Sequence, residues 1–129
     1  MTDIFGLDEY AKKAELREKA GLFHGRHYTT YVEEVKQLKR ENKLIEAEKL
    51  LLTLIYFVEQ EGIYTDWGLA PWYYEQLAII YRKQLRYQDE ISILERYCQW
   101  KNNSQNQIEP FLLRIKKVKT IMRKAGINP

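Results

Sequence analysis

The chain has 129 residues, a net charge of +3, 45% apolar and 30% charged residues, and only 6 Gly and 3 Pro. That length fits one domain with one core, and so few chain breakers argue against a sheet with many turns. No apolar run reaches the roughly 18–20 residues that span a bilayer, Leu50 to Val58 being the best candidate, and Met1-Thr2-Asp3-Ile4 does not open a secretory leader.

The single cysteine, Cys98, rules out an internal disulfide and is expected as a buried helix-face residue, which together with these absences points to the cytoplasm. The basic excess is local. Residues 108–129 carry six basic groups and one acidic, while the rest of the chain is nearly balanced.

The first helix is predicted from Leu7 to near Gly21, with Leu7, Tyr10, Ala11 and Ala14 on its inner face. Residues 21–27, with two glycines, read as a connector. The second helix runs from about Tyr28 to Glu41 on a stripe of Tyr28, Tyr31, Val32, Val35 and Leu38. The third, from about Ile45 to Gln60, carries the widest apolar face and is expected to be the most buried. Residues 62–71 form the one long connection. Pro71 suits the first turn of the fourth helix, which runs to about Gln84, and the fifth spans about Gln88 to Trp100. Lys101 to Gln107 reads as a polar loop. The sixth helix begins near Glu109-Pro110 and ends before Gly126, with Phe111, Ile115, Val118, Met122 and Ala125 inward.

Helices two and three superimpose on helices four and five with an offset of 43 residues, placing Tyr31 on Tyr74, Val35 on Ala78, Leu38 on Tyr81, Leu44 on Tyr87 and Leu51 on Leu94. The run Tyr74-x-x-Leu77-Ala78-x-x-Tyr81, the turn aromatic Tyr87, and Tyr31, Leu38 and Ala47 in the first hairpin resemble the tetratricopeptide repeat over residues 28–100. Glu34 and Glu90 stand where that family has leucine and a small residue. The resemblance implies an all-α fold of stacked helical hairpins in a right-handed superhelix. It would form a single domain over 1–129, with hairpins at about 28–60 and 71–100, an N-terminal helix, and a capping helix at about 109–125.

No catalytic motif is present, and no metal or cofactor is expected. His24 and His27 lack further ligands nearby and read as loop residues with local hydrogen bonds. The adjacent pairs Glu33-Glu34 and Asp89-Glu90 diverge by about 100° on a helix and read as solvated faces. In Trp72-Tyr73-Tyr74 the three rings point apart, so Tyr74 is assigned to the core, and Trp72 and Tyr73 to the long loop or a groove, with Trp67 joining them.

In tetratricopeptide-like proteins the first helices of the hairpins line the groove. By position this implies Thr29, Val32, Lys36, Lys39 and Arg40 from one hairpin and Trp72, Glu75, Ile79, Arg82 and Lys83 from the other. A basic groove with an aromatic end suits a protein or peptide partner with acidic groups, and the chain then acts as a non-catalytic adaptor. Two alternatives stand beside this. The first is nucleic-acid binding through Arg114, Lys117 and Lys124 on the last helix. The second is a structural homodimer that covers apolar surface. No membrane partner is expected.

Overall fold

A computed structural model describes residues 6–129. The Met1–Ile4 segment considered above as a leader lies outside the described residues. The described chain is all-helical apart from one short hairpin, and none of its helices is long and apolar enough to cross a membrane.

Helix α1 (Leu7–Ala20) rests on α3 (Leu44–Gly62). Its expected inner face is not buried: Leu7 is 63% and Tyr10 72% exposed. The half-buried positions are Ala14, Arg17 and Ala20, so two alanines and an arginine face inward and the larger apolar groups point out.

The connector folds as a hairpin of β1 (Leu22–Phe23) and β2 (Arg26–His27), turning through His24 and Gly25 at φ 51° and 76°. Two consecutive left-handed residues match the twist of a tight hairpin. A 3₁₀ turn, Tyr28–Tyr31, precedes α2 (Val32–Arg40), so the regular helix starts four residues later than expected. His27 Nδ1 accepts from the Thr29 amide at 3.3 Å, and Arg26 Nη2 donates to the Thr30 carbonyl at 2.9 Å. That guanidinium competes for a carbonyl that an α-helix would use, and β-branched Thr29 and Thr30 add little helix propensity.

Helices α4 (Trp72–Lys83), α5 (Tyr87–Cys98) and α6 (Gln105–Lys124) follow, and each helix from α2 onward packs on the next. The core runs through all of them, centred on Val35, Leu51, Leu54, Ile55, Tyr74, Leu77, Leu94, Tyr97 and Val118. Gly62 is a point of close approach: a Cβ there would lie 2.4 Å from Leu69 Cδ2 and 3.1 Å from the Trp100 ring.

The 43-residue offset extends to individual backbone hydrogen bonds. After α2, Asn42 N–H donates to Lys39 O at 3.0 Å and Lys43 N–H to Leu38 O at 2.8 Å; after α4, Leu85 N–H donates to Arg82 O at 3.0 Å and Arg86 N–H to Tyr81 O at 2.9 Å. Asn42 and Leu85 share φ 58°, and Lys43 and Arg86 share angles near −90°, 67° (−87°, 67° and −91°, 68°). This is the paired closure that satisfies the last carbonyls of a helix through one left-handed residue. Helix α6 ends the same way, with Gly126 N–H on Arg123 O at 3.0 Å and Ile127 N–H on Met122 O at 2.8 Å.

Helix α6 starts four residues before the expected Glu109 and carries Pro110 inside its first turns. Ser104 and Gln107 form a reciprocal capping box, which fixes the start at Gln105; Pro110, past the first turn, lacks the N–H that would otherwise bond the Asn106 carbonyl. The polar 101–107 segment also holds the long 63–71 connection. Asn103 Oδ1 accepts from Leu69 N at 2.8 Å, Asn103 Nδ2 donates to Tyr97 O at 2.7 Å, and Asn102 Nδ2 donates to Thr65 O at 3.1 Å. From α5, the Tyr97 hydroxyl donates to Leu69 O at 3.0 Å.

Candidate interaction surface

Lys39, in the last turn of α2, reaches across to Gln76 in the first half of α4. Its ammonium donates to Gln76 Oε1, and burial followed by the nearby Lys83 ammonium holds Lys39 below the usual lysine range. Two ammonium groups are thus brought together, and among the described residues neither Lys39 nor Lys83 forms a salt bridge. Like charges held together without a carboxylate are an unfavourable arrangement that a bound anion relieves.

The neighbouring basic residues are less free. Lys36 faces Glu33 at 3.6 Å, an exposed pair worth little. Arg40 binds the Gln37 amide oxygen through Nε at 3.1 Å and Nη2 at 2.8 Å. At the other end of α4, Trp72 is half-buried with its ring edge-on to Tyr73 at 5.1 Å. Tyr73 is only 3% exposed and meets Tyr28 edge-on at 5.3 Å, so it belongs to the core and not to a groove. Trp67 does not join them: it is 68% exposed, with the Arg17 guanidinium 5.3 Å from its ring centroid. Glu75 shares a small cavity of about 110 Å³ with Leu94, Pro110, Phe111 and Arg114.

Arg82 and Arg114 turn inward. Arg82 Nε and Nη2 donate to Glu90 Oε1 at 2.6 Å and Oε2 at 2.9 Å, and Arg114 Nε donates to Glu90 Oε2 at 3.1 Å. Glu90 is fully buried, which corrects the reading of Asp89-Glu90 as a solvated pair. The cue is its spacing. Glu90, Leu94 and Tyr97 lie on one face of α5, so Glu90 must enter the core or break the stripe. Two arginines supply the charge and the donors that a buried carboxylate needs. The same pairing separates Arg114 from Lys117 and Lys124, which stay exposed on α6.

Other carboxylates tie elements together. Glu59 accepts from the Tyr74 hydroxyl at 2.7 Å and from Arg96 at 2.8 and 2.7 Å, joining α3, α4 and α5. Glu61 takes His27 Nε2 at 2.6 Å and the Tyr28 hydroxyl at 2.8 Å. Glu48 meets Arg86 at 2.6 Å, and that guanidinium also lies 4.5 Å from the Tyr81 ring centroid. Burial pushes the Tyr73, Tyr81 and Tyr97 phenols up to about 12, and raises Tyr28 and Tyr74 further with help from hydrogen bonds to Glu61 and Glu59. Cys98 is half-buried, and burial likewise pushes its thiol up, away from the thiolate that a nucleophile needs.

Comparison with protein-family models, with curated proteins and with solved structures gave no match.

Proposed function

We propose that this chain is a non-catalytic interaction module that docks an acidic protein or peptide segment against α2 and α4. The observation that carries the reading is the Lys39–Lys83 pair, which among the described residues meets no carboxylate. Lys36 and Arg40 flank it with side chains held only by exposed partners, and Trp72 and Glu75 lie along the same α4. Carboxylates of the partner would relieve the repulsion, and basic steering would speed encounter.

The finer architecture belongs to the same proposal. Taking α2 and α4 as the first helices of tetratricopeptide-like hairpins in a right-handed superhelix puts these residues on its groove. The repeated turns at Asn42 and Leu85 support that equivalence. A cytoplasmic adaptor role is also proposed, since a chain with Cys98 as its one cysteine suits a reducing compartment.

The test is a titration of the full chain with a fluorescent glutamate-rich peptide, beside a neutral peptide and a single-stranded oligonucleotide of equal charge. Lys39→Ala with Lys83→Ala should weaken acidic-peptide binding about tenfold or more. Lys117→Ala with Lys124→Ala should leave it unchanged. The exposed Lys117 and Lys124 favour the second reading, nucleic acid on α6. That reading is preferred if the oligonucleotide binds more tightly, if its affinity falls steeply with salt, and if only the α6 pair matters.

A further inference from the structure

The outward face of α3 carries large apolar side chains: Ile45 is 68%, Leu52 38%, Tyr56 53% and Ile63 60% exposed. Ile63 directly follows the helix and keeps helical angles, φ −60° and ψ −29°. At about 100° per residue, these four positions fall within about 20° of one line down the helix. The buried Ala47, Leu51, Leu54 and Val58 lie on the opposite side. This is a narrow seam with the seven-and-four spacing of helices that pair lengthwise.

The seam reads the same from both ends. Leu54 lies at its midpoint: Leu52 and Tyr56 are two residues away on either side, Lys49 and Glu59 five, and Ile45 and Ile63 nine. A two-fold axis at the level of Leu54 would set two such helices antiparallel, each residue opposite its mirror position. Ile45 would then meet Ile63 of the partner subunit, and Leu52 would meet Tyr56 of the partner subunit. Lys49, exposed and without a salt bridge among the described residues, would face Glu59 of the partner subunit. The Glu59 carboxylate, 15% exposed, already accepts three hydrogen bonds from Arg96 and Tyr74, and Lys49 of the partner subunit would join that cluster from outside. Mirrored spacing with a cation opposite an anion suits a second copy of the same helix.

We infer that two copies of this chain pair antiparallel through the outer faces of their α3 helices. The residues involved are separate from Lys39 and Lys83, so dimerisation and acidic-peptide binding can fail independently.

Sedimentation of the full chain from about 1 μM to about 1 mM should show the mass rising toward twice that of the monomer. Lys49→Glu, a single exposed change that sets like charges opposite each other, should weaken association about tenfold or more with unchanged helical content. Orientation is read by disulfide trapping in a Cys98→Ser background. A mixture of the Ile45→Cys and Ile63→Cys variants should cross-link under mild oxidation, and each alone should not. A monomer across the whole range overturns the proposal. So does cross-linking of Ile45→Cys with itself in preference to the mixture, or association that Lys49→Glu leaves unchanged.

Discussion

The turn after α2 and the turn after α4 share their hydrogen bonds and backbone angles, yet the residue each delivers to the core differs: Ala47 in the first hairpin, Glu90 in the second. Both are fully buried. Around Ala47 the helices close on a methyl group. Around Glu90 they close on a carboxylate held by Arg82 from α4 and Arg114 from α6. Backbone geometry is thus set by the cap and is indifferent to the side chain about one helical turn later. The same site can be filled by packing alone or by a charge cluster, and the cluster binds a third helix that the alanine cannot reach.

Alkali is expected to act most strongly on the second hairpin, which holds Tyr73, Tyr74, Tyr81 and Tyr97 among the raised phenols, against Tyr28 in the first. Tyr73, Tyr81 and Tyr97 belong to the second and are raised from 10.0 to about 12 by burial. Between those values the folded state keeps protons that the unfolded state has lost. The stabilisation is therefore complete below pH 10 and is lost as pH rises through about 12. Tyrosinate absorbance should lag in the folded protein and then rise together with loss of helix. Absorbance complete near pH 10 with helix intact would contradict the burial.

Ala47→Glu should cost about 4 kcal/mol or more, because Lys39, the counterpart of Arg82, is already bound to Gln76. Glu90→Ala should cost about 3 kcal/mol by leaving two guanidinium groups without their anion. Adding Arg82→Met and Arg114→Met to it should restore most of that loss. Urea midpoints check all three, and near-equal effects of Glu90→Ala and the triple variant would show that the cluster is not a unit.

The smallest effects probe the turns. Leu85, 69% exposed, holds φ 58° at a cost that glycine avoids, so Leu85→Gly should stabilise by about 1 kcal/mol. Asn42 tolerates the same angle, and Asn42→Gly should gain only a few tenths of a kcal/mol. Thermal melts of the two variants distinguish these gains.

Helix order, the 43-residue offset and most of the core could be read from apolar periodicity, because α3, α4 and α5 bury one face each. Periodicity failed where partners decide. Of the expected α1 stripe Leu7, Tyr10 and Ala11 point outward, and the half-buried face is Ala14, Arg17 and Ala20. Glu90, Arg82 and Arg114 lie far apart in sequence, and no local pattern announces that they meet. The start of α6 was hidden in polar residues whose capping role at Ser104 and Gln107 depends on side-chain hydrogen bonds. Helix register places Lys36, Lys39 and Arg40 within about one turn of α2, but cannot tell which of them lack a carboxylate.

The influence of Lys83 on Lys39 is tested most directly by following the Lys39 ammonium by NMR across pH, free and with the acidic peptide. Lys39 should titrate below an ordinary lysine, recover in part in Lys83→Gln, and rise toward or above the ordinary value when peptide binds. An ordinary value indifferent to both Lys83 and peptide would contradict it.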